Sequence, residues 1–296
     1  MREQLWILPG ADPRFPLRAT VFRPDDNVVA GASLETAPQR LGRRPMIVIN
    51  HGTSEPTRQS VAMPIYYWLS RWFVERGYVV VLPQRRGHGA TGGPLAESRG
   101  DCTAPDHYAS GQIAADDLQA AIAFMSQEAF VEPGETIVAG VSTGGWATLA
   151  LSSRPNAAIR GVINIAGGRG GHAWGERSKV CAPERLIEAA GRYARTATVP
   201  GLWLYARNDS YFGPALAEAM KEAWTNNGGR AELHILPAYG SEGHDIADDA
   251  AGWSIWGPAV DRFLGQLLSA PNTGSRVSDA GSMTVEGPAM LPAASR

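Results

Sequence analysis

The chain has 296 residues and a formal net charge of −2, with 44% hydrophobic and 19% charged residues. This composition is ordinary for a globular protein with one large core or two modest ones, and the charge leaves no basic stripe that could neutralise the phosphates of a nucleic acid. No apolar run approaches the roughly 18 residues that cross a bilayer, and residues 1–20 lack the layout of a signal peptide, so we expect a soluble protein, cytoplasmic or already processed.

Strand and helix patterns alternate along the chain. The predicted strands are 17–22, 28–34, 46–50, 78–82, 135–140, 161–166, 201–206 and 231–236, and the predicted helices are 63–76, 112–127, 146–151, 184–193 and 214–224. The first two strands flank turn residues and are predicted to form an antiparallel pair, whereas 46–50 is a continuous apolar run typical of a buried parallel strand. The alternation predicts an α/β class protein, with one doubly wound, mostly parallel sheet in a single domain over residues 1–268.

Two segments break this alternation. Residues 167–198 combine a glycine-rich run, Gly-Gly-Arg-Gly-Gly, with a short helical pattern, and they are predicted to form a short lid-like insertion over a pocket. Residues 269–296 are rich in Pro, Gly, Ser and Ala without periodicity, which predicts a disordered tail.

The chain has two cysteines, Cys102 and Cys181. Neither has the spacing to a second cysteine or histidine that is typical of zinc ligands, and we predict no metal site. Two interpretations stay open. The cysteines are either free thiols of a cytosolic protein or a disulfide between two surface loops, which would indicate a periplasmic or secreted protein.

The run Gly140-Val141-Ser142-Thr143-Gly144 follows one apolar strand pattern and precedes a helical one. This context is typical of a nucleophile elbow, a tight turn that presents a serine between a strand and a helix. The flanking glycines remove side chains that would clash in such a turn. The motif therefore predicts that Ser142 is a catalytic nucleophile.

A serine nucleophile needs a base that takes its proton and an acid that orients the base. Asp209 follows the predicted strand 201–206 directly, and His244 lies in a glycine-rich loop after strand 231–236. Of the six histidines, His244 alone has this order and context. We therefore predict His244 as the base and Asp209 as its acid.

Two other carboxylates lie beside the histidine in the same short loop. Glu242 and Asp245 are so close to His244 along the chain that neither can easily orient its ring. Both are therefore disfavoured as the acid.

The developing oxyanion of an acyl-transfer reaction needs two backbone N–H donors. Thr143 directly follows the predicted nucleophile, and Thr53 lies in the loop after strand 46–50. Both are therefore predicted to form an oxyanion hole.

The chain resembles the α/β-hydrolase family, in particular its dienelactone-hydrolase-like and prolyl-oligopeptidase-like branches. The resemblance covers roughly residues 17–268. It rests on Asn50-His51-Gly52-Thr53, Arg86-Gly87-His88-Gly89, Gly140-Val141-Ser142-Thr143-Gly144-Gly145, Tyr205-Ala206-Arg207-Asn208-Asp209 and Gly243-His244. It implies an α/β-hydrolase fold and cofactor-free acyl transfer through an acyl-enzyme, and the chain differs from the dienelactone type in having Ser142 where that type has cysteine.

Aromatic residues near these motifs are candidates for an acyl pocket. Trp146 follows the elbow, Tyr211 and Phe212 follow the predicted acid, and Trp174 lies in the inserted segment. Such residues line many small-molecule sites, but they also pack protein cores, and the sequence leaves both roles open.

Together these patterns predict a serine carboxylic-ester hydrolase with a small-molecule ester as its substrate. One alternative is an amidase or aminopeptidase with the same three residues. Another is a binding protein that keeps the fold without catalysis.

Overall fold

One sheet of eight strands organises the chain in the computed structural model, which describes residues 1–25, 42–53, 55–60, 63, 66–156 and 158–269. The strands are β1 Arg2–Leu8, β2 Leu17–Arg23, β3 Arg44–Asn50, β4 Val79–Pro83, β5 Val131–Val141, β6 Ile159–Ile165, β7 Gly201–Ala206 and β8 Ala231–Leu236. The α-helices are α1 Tyr67–Val74, α2 His107–Met125, α3 Thr143–Ser152, α4 Pro183–Ala194, α5 Pro214–Asn226 and α6 Trp253–Ser269. None of the helices in these ranges is long and apolar enough to cross a membrane.

The strand order is β1-β2-β4-β3-β5-β6-β7-β8. Strand β2 runs antiparallel to both of its neighbours, and every pairing from β4 to β8 is parallel. The predicted doubly wound, mostly parallel sheet is therefore confirmed. Because the strands after β2 point the same way, the loops that leave their carboxyl ends meet along one edge of the sheet.

Helices cover both faces of the sheet, and this explains why the sequence of strand β3 is continuously apolar. Met46 and Val48 pack into a core shared with α2, α3, α4 and α5. Ile47 and Ile49 point the other way, into a core shared with α1 and α6. Since successive side chains of a strand face opposite sides, a strand between two helical layers needs apolar residues at every position.

Local signals place several helix ends. Gly77 has a φ of 85°, and its N–H donates to the carbonyl of Val74 at 2.9 Å, which closes α1 as its sequence predicts. At the start of α2, the carboxylate of Asp106 accepts from the N–H of Ala109 at 2.8 Å. This cap lets α2 begin five residues before the predicted 112.

The predicted strand 17–22 is present as β2, but in the described residues its partners are strands other than the predicted strand 28–34. Strand β2 pairs with β1 on one side and with β4 on the other, and β1 is not among the strands predicted from the sequence. Because β1 is an edge strand, it leaves Leu5 71% and Ile7 58% exposed, and it lacks a clean alternation of apolar and polar residues. The predicted strand 28–34 lies outside the described residues.

Residues 170–181 form a strap across the carboxyl edge of the sheet, and α4 follows them. Gly171 and Val180 form an antiparallel bridge, and a disulfide joins Cys181, at the end of the strap, to Cys102 in the loop before α2, with 4.8 Å between the Cα atoms. His172, Trp174 and Ser178 have positive φ values of 54°, 57° and 62°. Such backbone conformations persist only where the surroundings hold them.

The C-terminal boundary differs slightly from the predicted one. Ser269 is the last residue of α6, so it belongs to the helix. The rest of the predicted tail, from residue 270 on, lies outside the described residues.

We predict that the double variant Cys102→Ser/Cys181→Ser unfolds at a lower denaturant concentration than the wild type, with a loss of about 2–4 kcal/mol. The disulfide joins positions 79 residues apart and so restricts the unfolded chain strongly. The measurement is guanidinium unfolding followed by circular dichroism. Wild-type protein kept in a reductant is the control and should match the variant. Equal midpoints for oxidised wild type and variant would contradict the prediction.

Candidate active site

Ser142 stands in a strained turn between β5 and α3. Its φ is 57° and its ψ is −125°, a combination that costs a residue with a side chain about 1–3 kcal/mol. Three hydrogen bonds hold the turn, and they join Ser142 to three other segments. The N–H of Ser142 donates to Ile165 at 3.0 Å, and its carbonyl accepts from Trp146 and from Gly168, each at 3.1 Å.

The glycines of the motif are required by crowding around this turn. A Cβ at Gly140 would overlap the carbonyl of Gly144, and a Cβ at Gly144 would overlap the carbonyl of Asn50. The side chain of Asn50 donates to the carbonyl of Gly144 at 2.9 Å, so the end of β3 is fastened to the start of α3. Ser142 thus lies at the apex of a tight, strained turn between a strand and a helix.

His244 and Asp209 form a buried pair at the carboxyl ends of β8 and β7. The imidazole Nδ1 lies 3.2 Å from Oδ1 and 3.1 Å from Oδ2 of Asp209, whose side chain has no exposed surface. Oδ1 of this carboxylate also accepts from the N–H groups of Tyr211 at 2.8 Å and Phe212 at 2.9 Å. The carboxylate is therefore fixed, and its contact with Nδ1 leaves Nε2 as the ring nitrogen available for proton transfer.

Two aromatic rings border the imidazole of His244. Tyr211 stacks on it with ring centroids 4.2 Å apart, and Phe212 lies at 5.6 Å. Gly168 packs closely on the ring of Phe212 and also donates to the carbonyl of Ser142, so these contacts connect the elbow to the histidine. The structure thus places Tyr211 and Phe212 beside the predicted base.

The other two predicted pocket residues have different surroundings. Trp146 is fully buried, packs on Tyr193 and donates its indole N–H to the carbonyl of His107 at 2.8 Å. It is a core residue between α3 and its neighbouring helices, and its prediction as a pocket residue is not supported. Trp174 lies in the strap with 68% of its surface exposed.

The loop after β3 runs beside the elbow. A Cβ at Gly52 would come within 3.1 Å of the Ser142 Cβ, so this backbone passes directly against the serine. The N–H of Gly52 donates to the hydroxyl of Tyr66 at 3.4 Å, and burial raises the pKa of Tyr66 so that it stays protonated. The sequence alone gives no indication of a role for Tyr66, because a tyrosine at a helix start carries no signal of its own.

The hydroxyl groups of the two predicted oxyanion residues face each other. The hydroxyl of Thr143 donates to that of Thr53 at 2.9 Å, and the hydroxyl of Thr53 donates to Glu97 at 3.1 Å. These hydroxyl groups therefore connect the loop after β3 to the start of α3. Of Thr53 and Thr143, only the backbone N–H groups remain as candidate oxyanion donors. The N–H of Thr143 is the first of α3 and has no acceptor within the helix.

A buried ion cluster lies behind Thr53. Arg85 has no exposed surface and binds Glu97 through Nε at 2.7 Å and Nη2 at 3.0 Å, while Arg169 reaches the same carboxylate at 3.3 Å. Arg85 also donates to the carbonyl of His51 at 2.6 Å and to the side chain of Asn50. The cluster thus joins the loops after β3, β4 and β6.

The charges of this cluster control the ionisation of its members. Burial acts to raise the pKa of Glu97, but Arg85 and Arg169 outweigh it and hold the pKa well below its usual range. Burial, reinforced by Arg85, lowers the pKa of His51 and lowers that of His88 to about 4. Both histidines are therefore neutral at pH 7 and held within the cluster, whereas His244 is paired with the carboxylate of Asp209.

Adjacent arginines such as Arg85 and Arg86 are usually solvated or paired at surfaces, so the sequence gives no indication of this cluster. In the structure Arg86 binds Asp117 at 3.0 Å, and Arg85 is the centre of the buried cluster. The partner Glu97 lies in a loop without a motif. Only the folded chain brings these residues together.

Comparisons with known proteins agree with this architecture. Residues 47–289 match the family model described as "Alpha/beta hydrolase family". No curated protein sequence matches the chain.

Several solved structures are similar in fold. A putative dienelactone hydrolase from Klebsiella pneumoniae subsp. pneumoniae MGH 78578 is 13% identical, with a TM-score of 0.55 over 91% of this chain and 99% of that chain. An esterase from Pyrococcus furiosus is 14% identical, with a TM-score of 0.62 over 90% and 91%. A puromycin-hydrolyzing peptidase from Mycobacterium tuberculosis is 20% identical, with a TM-score of 0.60 over 90% of this chain but 40% of that chain. At these identities the similarity shows a shared fold.

We predict that Glu97→Gln loses about 3 kcal/mol of stability at pH 7, because it leaves two buried guanidinium groups without their counter-charge. Because the pKa of Glu97 is lower in the folded chain than in the unfolded chain, its ionised carboxylate stabilises the fold at pH values above the unfolded-state pKa of about 4.3. This contribution to the free energy of unfolding is lost as the pH falls below that value. The variant should therefore show a smaller loss of stability than the wild type between pH 7 and pH 3.5. Urea unfolding at both pH values measures the difference.

The matched control is Glu75→Gln, which removes the same charge from the exposed pair Arg71–Glu75. An exposed pair of this kind contributes about 0.5 kcal/mol or less. Equal losses for the two variants would contradict the role assigned to burial.

Proposed function

Because the chain belongs to the alpha/beta hydrolase family, we propose that it is a serine hydrolase that cleaves a carboxylic ester of a small molecule through an acyl-enzyme intermediate. Ser142 is the nucleophile, His244 the general base and Asp209 the residue that orients it. The observation that carries the proposal is the strained turn at Ser142, at the same sheet edge as the buried His244–Asp209 pair.

In the first half of the reaction, the oxygen of Ser142 attacks the carbonyl carbon of the ester while Nε2 of His244 takes the hydroxyl proton. Asp209 holds Nδ1–H and stabilises the imidazolium that forms. The negative charge that develops on the carbonyl oxygen accepts hydrogen bonds from the backbone N–H groups of Thr53 and Thr143. Collapse of the tetrahedral intermediate breaks the ester bond, and the imidazolium gives its proton to the leaving alcohol.

In the second half, His244 takes a proton from water, which attacks the acyl group on Ser142. The same oxyanion donors stabilise the second tetrahedral intermediate. Its collapse releases the carboxylic acid and returns the proton to Ser142. As proposed, the reaction uses only these side chains, the two backbone N–H donors and water.

The structures that share this fold include both ester hydrolases and a peptidase, and the ester is the substrate class that we propose. The chain corresponds to nearly the whole of the esterase and of the putative dienelactone hydrolase, at 91% and 99% of their lengths. It corresponds to only 40% of the puromycin-hydrolyzing peptidase. The amidase alternative remains a matter for substrate comparison.

We expect Ser142→Ala to lower kcat for short-chain p-nitrophenyl esters by at least about a thousandfold, since the acyl-enzyme can no longer form. Stopped-time absorbance assays measure the rate, and circular dichroism checks that the fold is intact. A fluorophosphonate probe should label the wild type at Ser142 and leave the variant unlabelled.

The control for this variant is Ser254→Ala, which removes an exposed serine hydroxyl at the start of α6. It should keep wild-type activity and labelling. Retained turnover in Ser142→Ala would overturn the assignment of the nucleophile. A wild type that neither turns over esters nor reacts with the probe would support the alternative of a non-catalytic binding protein.

We further expect the wild type to cleave a p-nitrophenyl ester with a kcat/KM at least about a hundredfold above that for the matching p-nitroanilide, because the poorer amine leaving group needs more help from a protonated His244. The two substrates should carry the same acyl group, so that only the leaving atom differs. Comparable kcat/KM values would favour the amidase alternative.

A further inference from the structure

The loop that carries Asp209 and the loop that carries His244 hold each other through reciprocal side chains. Asn208, beside the acid, accepts from the N–H of Tyr239 at 2.9 Å and donates to the carbonyls of Tyr239 at 3.0 Å and Gly240 at 3.2 Å. The amide thus fastens the start of the histidine loop to the acid loop. At the far end of the histidine loop, the N–H of Gly243 donates to the backbone carbonyl of Asn208 at 3.3 Å.

Glu242, a residue of the histidine loop, binds the acid loop through its side chain. Its Oε1 accepts from the N–H of Ser210 at 3.0 Å and from the N–H of His244 at 3.1 Å. Its Oε2 accepts from the hydroxyl of Ser210. One carboxylate therefore binds the backbone of the predicted base and the residue next to the predicted acid.

Residues of the strap also bind Glu242 and Ser210. Arg177 donates to Oε2 of Glu242 at 2.9 Å, Ser178 donates its N–H to the carbonyl of Ser210 at 2.8 Å, and His172 Nε2 lies 2.8 Å from the hydroxyl of Ser210. The ring of His172 also stacks on Tyr211 at 3.5 Å, and Tyr211 stacks on His244. The disulfide-bound strap and the two loops thus meet at Ser210 and Glu242.

We propose that Glu242 is a positioning residue for the reaction, which holds His244 in register with Asp209 through Ser210 and stabilises the imidazolium by its negative charge. The inference rests on the proposed function of Ser142 and His244. A helix cap alone would use one carboxylate oxygen, and here both oxygens are used, three of their four bonds going to the acid loop and the strap.

The charge of Glu242 is secured by its surroundings. Partial burial acts to raise its pKa, but the hydrogen bonds from Ser210 and His244 and the charge of Arg177 outweigh this and lower the pKa. The charged or titratable groups that face this region are Arg177 and His172 from the strap, Asp209 and Tyr211 from the acid loop, and His244 and Asp245 from its own loop. Among them Arg177 is 63% exposed in its side chain and is screened by solvent, whereas Oε1 of the partly buried carboxylate lies 3.1 Å from the backbone nitrogen of His244.

The test is Glu242→Gln, compared with Glu242→Asp, under steady-state conditions with a p-nitrophenyl ester. We expect kcat to fall between about tenfold and a hundredfold, because small displacements of a catalytic group have effects of this size. KM should stay within about twofold, since substrate contacts are unchanged. The rate of fluorophosphonate labelling of Ser142 should fall by the same factor as kcat.

The pH profile separates positioning by a charge from simple support of the fold. In Glu242→Gln the acid limb of kcat/KM should move to lower pH, because the imidazolium has lost a neighbouring negative charge. Glu242→Asp should restore the position of this limb while recovering kcat only in part. If both variants lose kcat while the acid limb of kcat/KM stays at the wild-type pH, Glu242 has only a structural role and the proposal is overturned. Wild-type kinetics in Glu242→Gln would also overturn it.

Controls keep the test independent of folding and of the proposed function. Glu218→Gln removes the same charge from the exposed face of α5 and should leave the kinetics unchanged. If Glu242→Gln does not fold, Ser210→Ala removes only the hydroxyl contacts and should lower kcat in the same manner by a smaller factor, and unchanged kcat would overturn the proposal. Wild-type inactivity towards esters and the probe would instead overturn the proposed function itself.

Discussion

The strained backbone of Ser142 is the constraint on which the site depends. A side chain at positive φ costs about 1–3 kcal/mol, and the turn persists because hydrogen bonds from β6, α3 and the loop at Gly168 hold it. The same crowding excludes a Cβ at Gly140 and Gly144. A strand, a helix and two neighbouring loops are therefore fixed relative to the serine before any substrate arrives.

Buried charge holds the other side of the serine. Arg85, Glu97 and Arg169 form a cluster that would be costly if any member were missing, and it fixes Thr53 and, through it, Thr143. The strained turn fixes Ser142, and the ion cluster fixes the loop after β3, whose backbone passes against this serine.

The surroundings of several residues could not be predicted from the sequence, for reasons that are local to each of them. Trp146 follows the elbow in sequence, but α3 is buried along its whole length, so its side chain packs in the core between helices. Strand β1 was missed because an edge strand with exposed Leu5 and Ile7 needs no apolar alternation. Glu242 was weighed as an acid for His244, and its true contacts, with Ser210 and Arg177, lie on segments far from it in the chain.

The sequence by itself determined the α/β alternation, the strands from β3 onward and the order of Ser142, Asp209 and His244 after successive strands, because these depend on short-range patterns of apolar residues and glycines. Only the tertiary structure decided which polar residues meet at the sheet edge. The Arg85–Glu97–Arg169 cluster, the disulfide-bound strap and the Glu242–Ser210 contact join segments separated by 12 to 79 residues. Contacts of that kind leave no periodic signal, since they form where parallel strands end together in space.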